Sequence, residues 1–322
     1  MRAIRVDAPG GPEALHLVEL PTPTPGAGQA LVRVEAAGVN FIDIYQRSGL
    51  YKLELPFTLG QEGAGVVEAV GKGVAEVAPG DHVAWAGPLG SYASHQVIPS
   101  ARLVRVPEGV DSRSAAAATL QGMTAHYLVT DTYRLKAGDI ALIHAAAGGV
   151  GQLFCQLARR AGAHVIGTAG GPDKVELALK AGAHDAIDYK AMDFEAEVKR
   201  LTSGKGAHVV YDSVGKDTFD KSLRCLRPRG LMVLFGASSG PVPPLDLQRL
   251  AAGGSLYVTR PTLVSYVATR EDLVARASAV LSAVQRGELK LRIEEALPLE
   301  KAADAHRLLA SRKTTGKLLL IS

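Results

Sequence analysis

The chain has 322 residues, a formal net charge of +4 with a pI near 9.0, and 47% hydrophobic against 21% charged residues. That length is enough for two domains and a sizeable core. Its basic residues form no cluster and no uninterrupted apolar run could span a bilayer, so a nucleic-acid partner and a membrane-embedded protein are both excluded.

From the start, Met1-Arg-Ala-Ile-Arg-Val-Asp7 lacks the apolar core of a signal peptide, and a cytoplasmic protein is expected. Pro21-Thr-Pro-Thr-Pro25 forbids helix and regular ladder pairing and reads as a surface connector. Around it, β-branched runs alternate with Gly and Pro: Ala30–Ala36, Gly65–Val70 and Asp81–Trp85 are expected strands. The string Asn40–Tyr51 reads as a polar loop carrying Tyr45 and Tyr51. From about Ser112 the pattern becomes an alanine-rich segment and then strand-helix alternation. Ile140–His144, His164–Thr168, Ala186–Tyr189, His208–Tyr211, Leu231–Phe235 and Leu256–Thr259 are candidate strands of a parallel sheet with helices on both faces. A helix with Leu273, Ala277, Val280, Leu281 and Val284 on one face follows, then Lys290–Ala296 and a terminal strand Lys317–Ile321. The last elements are expected to rejoin the first domain. Cys155 and Cys225 form no C-x-x-C, which excludes a Cys-rich zinc site and makes both thiols small buried hydrophobes.

The turn Ala145–Gly151 is the most informative segment. An apolar strand runs through small residues into a helix, a geometry that lets backbone approach a pyrophosphate while the helix N-terminus offers free N–H groups. The fingerprint G-x-G-x-x-G is met with one departure, Ala146 in the first position, while Gly148 and Gly151 hold the others. Ala147, Gly148, Gly149, Val150 and Gly151 are therefore candidate cofactor-binding residues. Roughly 20 residues beyond the first position, where an NAD-preferring fold carries an acid for the ribose 2′-hydroxyl, this chain has Thr168-Ala-Gly-Gly171. A 2′-phosphate is thus permitted, Lys174 can supply a cation, and NADPH is the expected cofactor.

Taken together, Leu59-Gly-Gln-Glu-Gly-Ala-Gly-Val-Val67, Ala145–Gly151, Val210–Gly215, Gly230–Gly236 and Ser255–Pro261 resemble the zinc-independent quinone oxidoreductases of the medium-chain dehydrogenase/reductase superfamily, the zeta-crystallin-like branch. The resemblance covers essentially the whole chain. It implies an α/β protein: a Rossmann doubly wound parallel sheet over residues 122–264, and a GroES-like β-rich catalytic domain over 1–121 completed by 265–322. It further implies NADPH as reductant and a homodimer. By the same resemblance, Lys174 and Tyr189 contact the 2′-phosphate. Asn40, Thr124, Ser213, Phe235, Arg260 and Arg312 are further cofactor contacts, although Arg260 and Arg312 also read as surface guanidiniums and Ser213 as a turn cap. Tyr45, Tyr51 and Asn40 are the candidate catalytic residues.

Zinc-dependent members of the superfamily carry Cys, His and a further Cys or acid where this chain has Asn40, Gln61 and Gln121. Amides are poor zinc ligands beside thiolate and imidazole, and His82, His95, His126 and His144 have no ligand spacing, so no metal is expected. Without a Lewis acid, alcohol oxidation loses its usual driving group. Quinone reduction does not need one, because the hydroquinone anion is stabilised by its own ring and a tyrosine phenol can donate to the developing oxyanion. Three readings stand: NADPH-dependent quinone reduction by hydride or stepwise electron transfer; enone or enal reduction; and an NADPH-binding sensor or structural protein without turnover. A strand at Ser255–Thr259 on the sheet edge would pair with its copy across a two-fold axis.

Overall fold

The structure is a computed structural model that describes all 322 residues. Residue contacts divide it into two units, Met1–Met123 with Val267–Ser322, and Thr124–Tyr266.

The first unit begins with β1 (Arg2–Val6) and β2 (His16–Glu19), then the long β3 (Gln29–Val39). Helix α1 (Phe41–Arg47) is followed by β4 (Phe57–Thr58), β5 (Glu62–Val70), β6 (His82–Ala86), β7 (His95–Pro99), β8 (Val104–Arg105) and α2 (Ser112–Tyr127). Part of the string Asn40–Tyr51 is therefore helix and not the loop expected. The reason is a local cap: Asp43, at the third position of α1, accepts the backbone N–H of Asn40 at 2.8 Å.

The second unit alternates β9 (Ile140–Ile143), α3 (Gly149–Arg160), β10 (His164–Ala169), α4 (Pro172–Lys180), β11 (Asp185–Asp188), α5 (Phe194–Leu201), β12 (Ala207–Asp212), α6 (Phe219–Arg224), β13 (Leu226–Leu234), α7 (Gln248–Ala252), β14 (Tyr257–Thr259) and α8 (Leu263–Tyr266). Its six strands are all parallel, in the order β11-β10-β9-β12-β13-β14. Strand β13 starts five residues before the expected Leu231, since it runs through Pro228 and a left-handed Arg229 (φ 59°), where its pairing with β12 is irregular. Proline has no N–H for the ladder and hides such a strand from pattern reading. The core here is aliphatic, with Leu142, Ile166, Val210 and Met232 fully buried.

The chain then returns to the first unit through α9 (Arg270–Gln285), β15 (Ile293–Pro298), α10 (Ala302–Ala310) and β16 (Lys317–Ile321). Strand β16 pairs antiparallel with the C-terminal half of β3, Leu318 opposite Val39, in a sheet of order β15-β16-β3-β5-β6-β8 with β7 on the other half of β3. A smaller sheet, β2-β1-β4, completes the unit. Trp85, Tyr92, Ile98 and Leu320 lie in its core. Trp85 is fully buried and satisfies its indole N–H on Ser91 Oγ at 2.9 Å.

Candidate active site

In a parallel sheet every strand ends at the same edge, and ligands bind where neighbouring strands lead their connections to opposite faces. Here that place is between β9 and β12. The turn after β9 leads into α3 through Ala145, which adopts a left-handed conformation (φ 53°). Gly151 must be glycine, since a Cβ there would lie 2.7 Å from Ala146 Cα and would also strike the Ala145 carbonyl oxygen. Ala146 is tolerated in the first position because Gly167 faces it across the sheet; a Cβ on Gly167 would approach the Ala146 methyl to 2.7 Å. Gly149, Val150 and Gly151 form the first turn of α3, where N–H groups lack intrahelical acceptors. The Ala147 carbonyl is tied down by Gln152 Nε2 at 2.8 Å. Below the turn, His144 is buried between Thr168 Oγ1 (2.9 Å) and Ser222 Oγ (2.8 Å), and burial lowers its pKa, which makes it a neutral strut.

The ends of the other strands carry half of the remaining sequence candidates. After β10, Gly171 (φ 102°) opens α4, whose first turn holds the half-buried Lys174. Tyr189 follows β11, and its ring lies over Gly170, where a Cβ would sit 2.5 Å from the phenol oxygen. Ser213, Phe235 and Arg260 follow β12, β13 and β14 in turn, and Arg260 Nη1 donates to the Leu234 carbonyl at 2.8 Å. Thr124 lies in α2. Two residues at this edge escaped sequence reasoning. Asp188 accepts N–H groups from Gly171 (2.9 Å) and Lys190 (3.0 Å), and the fully buried Asp212 accepts from Val214 N (2.7 Å), Gly215 N (2.9 Å) and Thr218 Oγ1 (2.7 Å). Both are strand-end acids that shape turns, a role that no spacing rule marks.

Asn40, Tyr45, Tyr51 and Arg312 belong to the first unit. Arg312 is exposed in a left-handed turn (φ 56°) after α10. Tyr45 is buried on α1 and packs edge-on against the exposed Tyr51, ring centroids 5.4 Å apart. At the start of α1, Asn40 joins Glu62, Gln121 and Lys317 in a buried cluster. The Asn40 amide donates to Glu62 Oε2 (2.9 Å) and Gly38 O (3.2 Å), and accepts from Lys317 Nζ (2.7 Å) and Gln121 Nε2 (3.4 Å). Also on α1, Asp43 Oδ2 accepts the Tyr92 hydroxyl (2.9 Å), which also meets His306 Nε2 (3.2 Å), while Arg47 Nη1 meets His306 Nδ1 (3.1 Å). Burial pushes the Asp43 carboxyl up to about 7, and burial followed by the Arg47 charge pushes His306 down to about 3.

Residues 26–108 match the family model of the alcohol dehydrogenase GroES-like domain, and residues 149–279 that of the zinc-binding dehydrogenases. A quinone oxidoreductase of Pseudomonas aeruginosa is 48% identical over 99% of both chains. The chain belongs to the quinone oxidoreductase family. Its structure superposes on the Escherichia coli quinone oxidoreductase complexed with NADPH with a TM-score of 0.98, 44% identity and full coverage of both chains. A 2-haloacrylate reductase of a Burkholderia species is a further relative, 41% identical over 97% of this chain and 96% of its own.

The zinc named in one of those family descriptions does not fit this member. Asn40, Gln61 and Gln121 offer neutral amide oxygens, and the Asn40 oxygen already receives an ammonium, which repels a second cation there. The nucleotide edge, in contrast, fits NADPH, for it offers a helix N-terminus whose Gly151 has no room for a Cβ against its own turn, and no carboxylate within Thr168–Gly171.

Proposed function

We propose that this chain reduces quinones with NADPH. The observation that carries the reading is the strand-end edge of the second unit, where the Ala145–Gly151 turn opens α3, Lys174 lies in the first turn of α4, Tyr189 follows β11, and the segment Thr168–Gly171 itself holds no acid. NADPH, when bound, supplies the hydride. The N–H groups opening α3 hold the pyrophosphate, while Lys174 and Tyr189 take the 2′-phosphate. Ala147, Ser213, Phe235, Thr124 and Arg260 complete the set that orients it. Tyr51, half exposed beside Tyr45, donates its phenol proton as a hydrogen bond to the quinone oxygen as negative charge develops there. No Lewis acid is required, since the product anion is delocalised over an aromatic ring.

The test is NADPH oxidation with 1,4-benzoquinone, 9,10-phenanthrenequinone and 3-penten-2-one in parallel, repeated with NADH and after EDTA. Quinone turnover that prefers NADPH and survives chelation is expected, and a chain that binds NADPH yet turns over no quinone would overturn the reading. The 2-haloacrylate reductase relative supports a second reading, hydride delivery to an activated alkene, which enone-only turnover would select.

The exposed edge strand β14, with Tyr257 58% and Val258 37% accessible, supports a homodimer that continues the sheet across a two-fold axis. Sedimentation showing only monomer at micromolar concentration would remove that part. The unpaired buried cysteines suit a reducing, cytoplasmic compartment.

A further inference from the structure

Where zinc-dependent relatives place ligands, this chain holds a cation of its own. Lys317, the first residue of β16, is 2% exposed, and its ammonium pairs with Glu62, which is fully buried. We propose that Lys317 is a positioning residue for quinone reduction: its ammonium fixes the Asn40 amide and, through it, the start of α1, the helix that carries Tyr45. The proposal rests on the function argued above.

The chemistry of the partners removes the usual freedom of an amide. An ammonium only donates and a carboxylate only accepts, so the oxygen of Asn40 must face Lys317 and its nitrogen must face Glu62. Both amide hydrogens and both oxygen lone pairs are then occupied, the former by Glu62 and Gly38, the latter by Lys317 and Gln121. Asn40 has no donor left for a substrate oxygen and acts by holding its neighbours. Glu62 Oε1 in turn accepts the N–H of Leu120, so one lysine ties the β3–α1 junction, β5, α2 and β16 into a single cluster. The space is shaped for it: a Cβ on Gly38 would strike the Glu62 carboxylate and lie 2.8 Å from Lys317 Cε. Asp43 adds the next link, for its carboxyl holds the Asn40 N–H at 2.8 Å and the Tyr92 hydroxyl at 2.9 Å. A buried ion pair is a poor source of stability compared with apolar packing, and fixing a geometry is the better-attested use of one.

The experiment compares wild type, Lys317→Met and Glu62→Gln/Lys317→Met by thermal unfolding, quinone kinetics and NADPH fluorescence titration. Lys317→Met strands a buried carboxylate and is expected to unfold at lower temperature. The double variant is electrically neutral and is expected to recover its melting temperature, with NADPH affinity within about twofold of wild type, while kcat/KM for 1,4-benzoquinone stays lower by on the order of tenfold or more. Recovery of kcat/KM together with the melting temperature would overturn the proposal, because Lys317 would then only neutralise Glu62. A ligand-free readout accompanies these: the Asn40 side-chain amide resonances, identified by their loss in Asn40→Asp, are expected as two sharp, slowly exchanging signals in wild type and as broadened ones in the double variant. Unchanged signals count against Lys317 even if quinone activity is lacking. An inactive wild type counts only against the quinone reading.

Discussion

The Ala145–Gly151 turn of the second unit, proposed to hold the pyrophosphate, and the amide cluster of the first are built from opposite materials. The turn is backbone: Ala145 to Gly151 are contiguous, and its specificity comes from side chains that are absent. The cluster is centred on side chains, and Asn40 and Lys317, which meet at 2.7 Å, are 277 residues apart. A site made by omission tolerates no addition, whereas a site made of paired charges and amides depends on every partner being present. The two should fail differently.

The largest effect is expected at the turn. Gly151→Val drives a branched side chain into the Ala145 carbonyl and toward Ala146 Cα, and NADPH affinity should fall by at least about a thousandfold, roughly 4 kcal/mol, in a fluorescence titration. A variant that still binds NADPH normally would show that the backbone does not approach the pyrophosphate there.

The first unit should answer to pH instead. Asp43 has a folded pKa of about 7 against an unfolded value near 3.8, so between those pH values the folded chain keeps a proton that the unfolded chain has lost. Its contribution therefore makes stability fall as pH rises from about 4 to 7, by about 3 kcal/mol, then level off. His306, near 3 when folded against 6.5 unfolded, acts in the opposite sense, its stability being lost as pH drops below 6.5. Asp43→Asn removes the first slope and leaves the second, so its urea-unfolding stability relative to wild type should increase from pH 4 to pH 8. A constant difference would place Asp43 outside this account.

A smaller effect is expected from Gly38→Ala, which overfills the Glu62–Lys317 pocket and should cost about 2 kcal/mol in urea unfolding while leaving NADPH affinity unaltered. Smallest is Lys174→Ala. Loss of one charge-assisted contact should weaken NADPH about tenfold, roughly 1.4 kcal/mol, and leave NADH unaffected, so the ratio of their dissociation constants reports the 2′-phosphate contact alone.

What was legible in the sequence follows the same division. The alternation of apolar strand and helix after Ser112, the small-residue turn and the terminal strand Lys317–Ile321 are local patterns, and each appears in the structure within a few residues of its expected place. The early start of β13 was hidden by Pro228, and α1 by a cap that exists only when Asp43 folds back onto the Asn40 N–H. Among the site candidates, Lys174 and Tyr189 could be reached by counting from the turn or by family resemblance. Lys317, Asp43, Tyr92 and His306 could not, because nothing near any of them in the chain signals a partner.

The sequence alone determined the parallel strand-helix sheet and the small-residue turn Ala145–Gly151 that opens α3, because strand periodicity and glycine placement act over a few residues. Only the tertiary structure decided that an ammonium from the last strand meets the amide at the head of α1, since antiparallel pairing of β16 with β3 brings Lys317 beside Asn40 and burial favours pairing the ammonium with that amide and with Glu62.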